Sequence, residues 1–332
     1  MSVSPGNEET YSFLGPTGTF TEAALAQVPE AAGKPWRAVN NVGEALADVV
    51  EGRSVAAMIA LENSIEGGVT VAQDALATIP GLRIIGEYLV PVGFVLVARA
   101  GTTLADVKTV AAHPVAYAQC QTWLNENLPE HDQVPASSNV QAAASLLVTD
   151  AVGHFTSAAD AAIAPPNILD HLDNLVVLAE GIIDNPNAIT RFALVSRSRR
   201  IPQPTGADKT SLIAELPDDQ AGALLGLLEQ FSTRGINLSL IQSRPIGDAL
   251  GRYRFVIDAD GHVHEERMAD ALLGLRRFSP KLIFLGSYPR ADHVPVDYHN
   301  RYSDDVFIEA RDWLRGLLTE EPDDNESAAA GG

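Results

Sequence analysis

The chain has 332 residues, 46% apolar and 20% charged, which suits two or three packed domains and argues against wholesale disorder. Its 23 Lys and Arg face 43 Asp and Glu, and the formal net charge of −20 opposes nucleic acid and anionic membranes, although a few local donors still suffice for a small anion. The single cysteine, Cys120, excludes an intramolecular disulfide and a cysteine zinc cluster.

The first ten residues have no basic or apolar signal pattern, and no run of about 18 apolar residues occurs, so a soluble cytoplasmic protein with no membrane span is expected. Residues 1–10 read as a loose start. YSFLG (11–15) predicts a strand entering a Gly/Thr-rich turn, and Thr21 to Val28 a helix. WRAVN (36–40) predicts a second strand, and residues 42–50 a helix capped by Asn40 or Asn41. VAAMIAL (55–61) is apolar throughout, as in a strand buried on both faces. This βαβ punctuation implies a mainly parallel sheet.

Two long extended stretches follow, residues 82–99 and the segment from Leu175 to Ser196. Between them TVAAH (109–113) and AAIA (161–164) predict strands, and residues 117–127 and 140–148 helices. Two crossing stretches around an inserted αβ unit predict two lobes with a cleft that takes a small ligand.

IPQPTGAD (201–208) reads as a linker, after Arg197, Arg199 and Arg200 at a solvated strand end. Beyond it, strands are expected at 210–216, 236–240 (ended by Pro245), from Tyr253 to Ile257 and 281–288, and helices around 221–231 and 268–275. Tyr253, Phe255 and Ile257 are expected inward, Arg252 and Arg254 outward. The order βαββαβ over about 80 residues is ferredoxin-like. An amphipathic helix is expected from Asp304 to Leu318, then an acidic, disordered tail.

Four stretches have the residue types for chemistry. In GPTGTF (15–20), Thr19 and Glu22 form a T-x-x-E capping box, and a Gly-rich helix start favours an anion, although an ordinary capped turn reads the same way. Glu62-Asn63-Ser64 follows the buried strand, at the end where α/β sheets hold ligands or where a plain turn would sit. In AITRF (188–192), Thr190 offers a hydroxyl and Arg191 a fork for a carboxylate or a structural ion pair. In AHPVAYAQC (112–120), His113 and Gln119 are polar candidates and Cys120 reads as a core thiol. His262 and His264 read as a surface turn, not a metal site.

Taken in order, GPTGTF, LENS with EGGV, HP with AQC and W, and TRF resemble the prephenate dehydratase family across residues 11–196. GALL (222–225), GINLSLIQSRP (235–245) and LGSYP (285–289) resemble an ACT regulatory module. The resemblance covers about 280 residues. Ala112, Gln242 and Asn187 depart from the family pattern, where a Ser, an acidic residue and an Asn one position closer to Thr190 are usual. No fused mutase segment is expected before Tyr11.

The resemblance implies a two-lobed, type II periplasmic-binding-protein-like α/β domain over residues 1–200, with lobe 1 at about 10–96 and 186–200 and lobe 2 at about 97–185. It also implies a linker at 201–208, a ferredoxin-like ACT domain at 209–290, and a C-terminal helix and tail at 291–332. The activity implied is loss of water and carbon dioxide from prephenate to give phenylpyruvate, with no cofactor and no metal. Thr190 is the implied catalytic donor. Thr17, Gly18, Thr19, Glu62, Asn63, Ser64, His113, Gln119, Arg191 and Phe192 are implied to bind substrate. Gly222, Ala223, Leu224, Asn237, Leu238, Ser243 and Arg244 are implied to bind phenylalanine as effector, in a homodimer or homotetramer. Arogenate dehydratase and a non-catalytic amino-acid-sensing protein are the alternatives.

Overall fold

Tyr11–Leu14 forms β1, and its partners on both sides are parallel: β2 (Trp36–Val39) and β3 (Ala56–Asn63). The computed structural model describes residues 9–65, 67–217, 220–247 and 251–319, and it divides into one unit up to residue 201 and another from residue 202. The loose start, the acidic tail and Glu66 of the EGGV turn lie outside the described residues, apart from Glu9, Thr10 and Thr319.

In the first unit, α1 (Phe20–Leu25) and α2 (Val42–Val50) connect β1, β2 and β3. The short β4 (Gly67–Gly68), α3 (Thr70–Thr78) and β5 (Arg83–Pro91) follow. The chain then leaves for a second lobe. There lie β6 (Val95–Arg99), β7 (Thr109–Ala112), α4 (Pro114–Ala118), α5 (Gln121–Asn127), β8 (Asp132–Pro135), α6 (Asn139–Ser145), β9 (Ala161–Ala164) and β10 (Leu175–Ala179). It returns as β11 (Ile189–Ser196), which enters the first sheet between β3 and β5, antiparallel to both.

The sheet orders are β2-β1-β3-β11-β5, with β4 on β3, and β10-β6-β9-β7-β8. The extended stretch 82–99 is therefore two strands in two sheets, separated after Pro91, which has no N–H to continue the ladder. The two crossovers run side by side: Val92 N–H donates to the Ala188 carbonyl at 2.8 Å and Ile182 N–H to the Phe94 carbonyl at 3.3 Å. Each lobe has its own core, built around Phe13, Met58 and Phe192 in the first and Leu96, Leu124 and Ile163 in the second. Phe20 packs against both and stacks edge-on with Phe94 at 5.7 Å.

The single helix expected at 117–127 is broken into α4 and α5 at Cys120. There the Asp184 carboxylate accepts from the Thr122 N–H at 3.1 Å and starts a new helix. β8, the short β4 and α3 went unpredicted.

The second unit contains β12 (Asp208–Glu215), α7 (Ala223–Ser232), β13 (Leu238–Pro245), β14 (Tyr253–Asp260), α8 (Glu266–Phe278), β15 (Leu282–Pro289) and α9 (Asp304–Thr319). Its sheet order is β13-β14-β12-β15, the ferredoxin-like arrangement, with β13 at one edge. Leu227, Phe231, Phe255, Ile257 and Leu275 fill the layer between sheet and helices.

One alternation runs contrary to expectation. Tyr253 is exposed while Arg254 is buried. Tyr253 is the first residue of its strand and is not part of the apolar core. Arg254 shares its sheet face with Asp258, where Ser211 binds Asp258 and meets the Tyr288 hydroxyl at 2.6 Å. That face is polar and covered, not polar and wet.

Candidate active site

β11 runs antiparallel to β3, so its first residues meet the last residues of β3. The register pairs Thr190 with Asn63 and Arg191 with Glu62. Glu62 and Asn63 thus stand on the strand, not in a turn after it. The Asn63 amide oxygen accepts from the Ile65 N–H at 2.9 Å, which orients the amide. Its Nδ2 then donates to Thr190 Oγ1 at 3.0 Å. The Thr190 oxygen accepts there, so its own proton can be given elsewhere. Thr190 is buried, which strengthens any such hydrogen bond.

The next residues brace this pair. Arg191 Nε donates to Glu62 at 3.0 Å and its Nη1 to Glu87 on β5 at 3.1 Å, tying three adjacent strands together. Ser64 clamps the same end: its N–H donates to the Ile189 carbonyl at 2.9 Å, and its hydroxyl accepts from the Ile189 N–H at 3.0 Å. The side chain of Phe192 is in the first-lobe core, so its expected contact with substrate gives way to packing against Phe13 and Met58.

The GPTGTF turn faces the second lobe. Thr19 caps α1 by accepting from the Glu22 N–H at 3.4 Å, and its hydroxyl donates to the Leu14 carbonyl at 3.2 Å. Glu22 reaches back to the Gly18 N–H, one residue before the position expected of a capping box. Gly18 holds φ +89, and a Cβ there would lie 3.2 Å from His171 and 3.5 Å from Val140 of the second lobe. Thr17 is exposed at the tip.

Between the lobes is a cavity of about 860 Å³, at the carboxyl ends of β1 and β2. Thr19, Phe20 and Asn40 line it from the first lobe, and His113, Ser138 and Asn139 from the second. The first turns of α1 and α6 supply backbone N–H groups that have no partner within their helices. Among the described residues that line it there is no carboxylate side chain. Such a wall favours an anion despite the overall charge. His113 is itself a cap: its Nδ1 accepts from the Val115 N–H at 3.3 Å, and its own N–H donates to Asn139 Oδ1 at 3.0 Å.

Of the residues expected to bind substrate, Thr19 and His113 line this cavity. Asn63 and Thr190 are not among its lining residues; they stand at the same carboxyl end of the first sheet, on the interior strands β3 and β11. Glu62, Ser64 and Arg191 are engaged in the bracing just described, and Gln119 is buried in the second lobe. Sequence reasoning missed Asn40, Ser138 and Asn139. The signal was there in SSN (137–139), a capping triplet directly after a strand.

The family model for prephenate dehydratase matches residues 11–200. The chain belongs to the prephenate dehydratase family. It is 40% identical over 307 residues to the prephenate dehydratase of Amycolatopsis methanolica, covering 92% of this chain and 97% of that one. A crystal structure of prephenate dehydratase in complex with L-Phe from Arthrobacter aurescens is 51% identical, with a TM-score of 0.88 over 94% of this chain and all of that one. A solved protein described as GqqA, a novel type of quorum quenching acylase, is 29% identical, with a TM-score of 0.72 over 85% of this chain and 98% of that one. Chemistry on this fold is therefore decided by side chains.

Other residue readings for this prephenate dehydratase family member divide. Cys120 is fully buried, and burial, helped by Asp184, pushes its thiol up to about 12, as a core thiol should behave. His262 is not on a surface turn but fully buried. Its Nδ1 accepts from the His264 N–H at 3.1 Å, and burial lowers its pKa. Among the described residues no group of His, Cys, Asp and Glu could hold a metal, and no helix is long and apolar enough to cross a membrane.

The residues expected to take the effector fall at two ends of the second sheet. Gly222, at φ +88, opens α7 beside Ala223 and the exposed Leu224. Ser243 and Arg244 close β13 near the level of Glu215, the last residue of β12. Asn237, which donates to Asp260 at 2.7 Å, and Leu238 stand at the opposite end of β13.

Proposed function

We propose that this chain is a lyase that converts prephenate to phenylpyruvate in the cytoplasm, and that phenylalanine restrains it through the second unit acting as an ACT module. Prephenate takes up one proton and yields phenylpyruvate, carbon dioxide and water. The ring carboxylate leaves as carbon dioxide, its bonding electrons enter the ring, and the C–O bond opposite breaks as the ring becomes aromatic. The chain need only hold two carboxylates and help an oxygen depart.

The observation that carries this reading is the Asn63–Thr190 hydrogen bond, which leaves the Thr190 proton directed away from Asn63. Thr190 donates to the departing hydroxyl, and the proton is restored from water. A threonine hydroxyl is a weak acid, so its value lies in placed hydrogen bonding. Donors at the starts of α1 and α6, with Thr19 and His113, hold the substrate carboxylates. Arg191 acts through its braces on Glu62 and Glu87, not on substrate.

For regulation, two copies pairing edge to edge along β13 about a two-fold axis would bring Asn237 of one copy to Gly222 and Ser243 of the other. That juxtaposition supports an effector site shared between subunits of a homodimer, or of a homotetramer built from such pairs.

The test offers the purified chain prephenate and arogenate in parallel. Phenylpyruvate and carbon dioxide from prephenate support the reading. Phenylalanine formed from arogenate alone would make it an arogenate dehydratase, and binding without turnover of either would make it a sensor. Added phenylalanine should lower the rate, and Leu224→Asp should weaken that response.

A further inference from the structure

Three half-buried polar side chains of the second lobe line the cavity: His113, Ser138 and Asn139. Each uses an acceptor within its own lobe, and each partner is a backbone N–H, which can only donate. His113 Nδ1 accepts from the Val115 N–H at 3.3 Å, Ser138 Oγ from the Gln141 N–H at 3.0 Å, and Asn139 Oδ1 from the His113 N–H at 3.0 Å. These bonds fix what is left over. The neutral imidazole carries its proton on Nε2, the Asn139 amide keeps both N–H groups of Nδ2, and the serine hydroxyl keeps its proton to give. Among the described residues none of these donors has a partner. The side chains on this wall are therefore set to donate.

We propose that Asn139, with His113 and Ser138 beside it, receives the 2-oxo acid side chain of prephenate and sets the preference for it over the amino acid side chain of arogenate. This rests on the reading of the chain as acting on prephenate. The two molecules share a ring and two carboxylates and differ at one carbon, a ketone in the first and an ammonium-bearing carbon in the second. A ketone and a carboxylate only accept, so both suit a wall of donors. An ammonium only donates. Against the same three side chains its N–H groups lose water and gain no acceptor, and leaving such groups unpaired is what makes a polar site selective.

The test uses the full chain and reads kcat/KM for prephenate and for arogenate; where arogenate turnover is too slow, its inhibition constant against prephenate serves instead. Asn139→Asp keeps the acceptor for the His113 N–H and replaces the donor by a second acceptor. Its kcat/KM for prephenate should fall at least about tenfold, mainly through KM, and the ratio of prephenate to arogenate should fall by a similar factor. Asn139→Ala, which removes the donor without adding charge, should move the ratio the same way by less. Gln141 also lines the cavity, and Gln141→Glu adds the same charge to the wall while leaving the three donors in place; it should move the ratio less than Asn139→Asp. Circular dichroism and thermal unfolding report that each variant folds. An Asn139→Asp variant that folds and keeps the parent's ratio, or a Gln141→Glu variant that shifts it equally, overturns the proposal and leaves the prephenate activity standing. A parent chain that prefers arogenate overturns both.

Discussion

Asn63 and Thr190, 127 residues apart in sequence, share a hydrogen bond of 3.0 Å from the amide of the first to the hydroxyl oxygen of the second. The amide thereby fixes the direction in which the hydroxyl can donate. Thr190→Val should fold normally and turn over at least about a hundredfold more slowly, since loss of one such donor costs on the order of 3 kcal/mol. Asn63→Ala should also slow turnover, and the double variant should be no slower than the worse single one. Steady-state kinetics beside thermal unfolding decide it. Near-normal turnover of the valine variant removes Thr190 from the mechanism.

Arg191 stands between two carboxylates and is almost wholly buried, as is Glu87. Arg191→Met strands the Glu87 charge in the interior, and breaking such a pair costs about 3–5 kcal/mol. Urea unfolding should show that loss, with a smaller one for Arg191→Lys, which keeps the charge but not the fork. Replacing Glu87 by Gln should cost less than removing the arginine. Equal stability of the methionine variant and the parent would mean that the brace is not under load.

Asp48 is buried, which on its own would raise its pKa. Hydrogen bonds from Ser12, Arg53 and Arg37 more than offset that and hold it below the ordinary carboxylate value. Ser54 meets Ser12, while Glu44 and Glu51 face the same arginines. A folded-state pKa below the unfolded one gives stability that is present above the unfolded value, near pH 4, and is lost as pH falls through the folded one. Stability should therefore decline below about pH 4. In Asp48→Asn that decline should be shallower, as read by unfolding at stepped pH.

The Cys120 thiol, raised to about 12 and fully buried, should resist iodoacetamide at pH 8 in the folded chain. In denaturant it should react at once. Mass spectrometry reads both, and rapid labelling of the native chain would contradict the burial.

Much of this was legible in the sequence because the physics is local. The apolar run after Val55 announced β3, and the capping residues Thr19 and Asn41 announced their helices. The Asn63–Thr190 contact depends on β11 entering between two earlier strands, which no periodicity encodes; the family resemblance alone brought those residues together. β8 is the short DQVP, with too few apolar residues to signal a strand, so the Ser138–Asn139 cap after it passed unread. Alternation places Arg254 outward only if the second face of the sheet meets water. Here that face buries a hydrogen-bonded layer instead.

The insertion of β11 between β3 and β5 bears on how the chain is made. Until residue 196 has left the ribosome, β3 and β5 have no strand between them, and the partner of Asn63 does not yet exist. The first lobe is begun first and closed last, after the whole second lobe has been synthesised. Nascent chains arrested before residue 189 should leave one side of β3 bare and β5 without a partner strand, and should engage chaperones. Those arrested far enough beyond residue 196 to clear the exit tunnel should not.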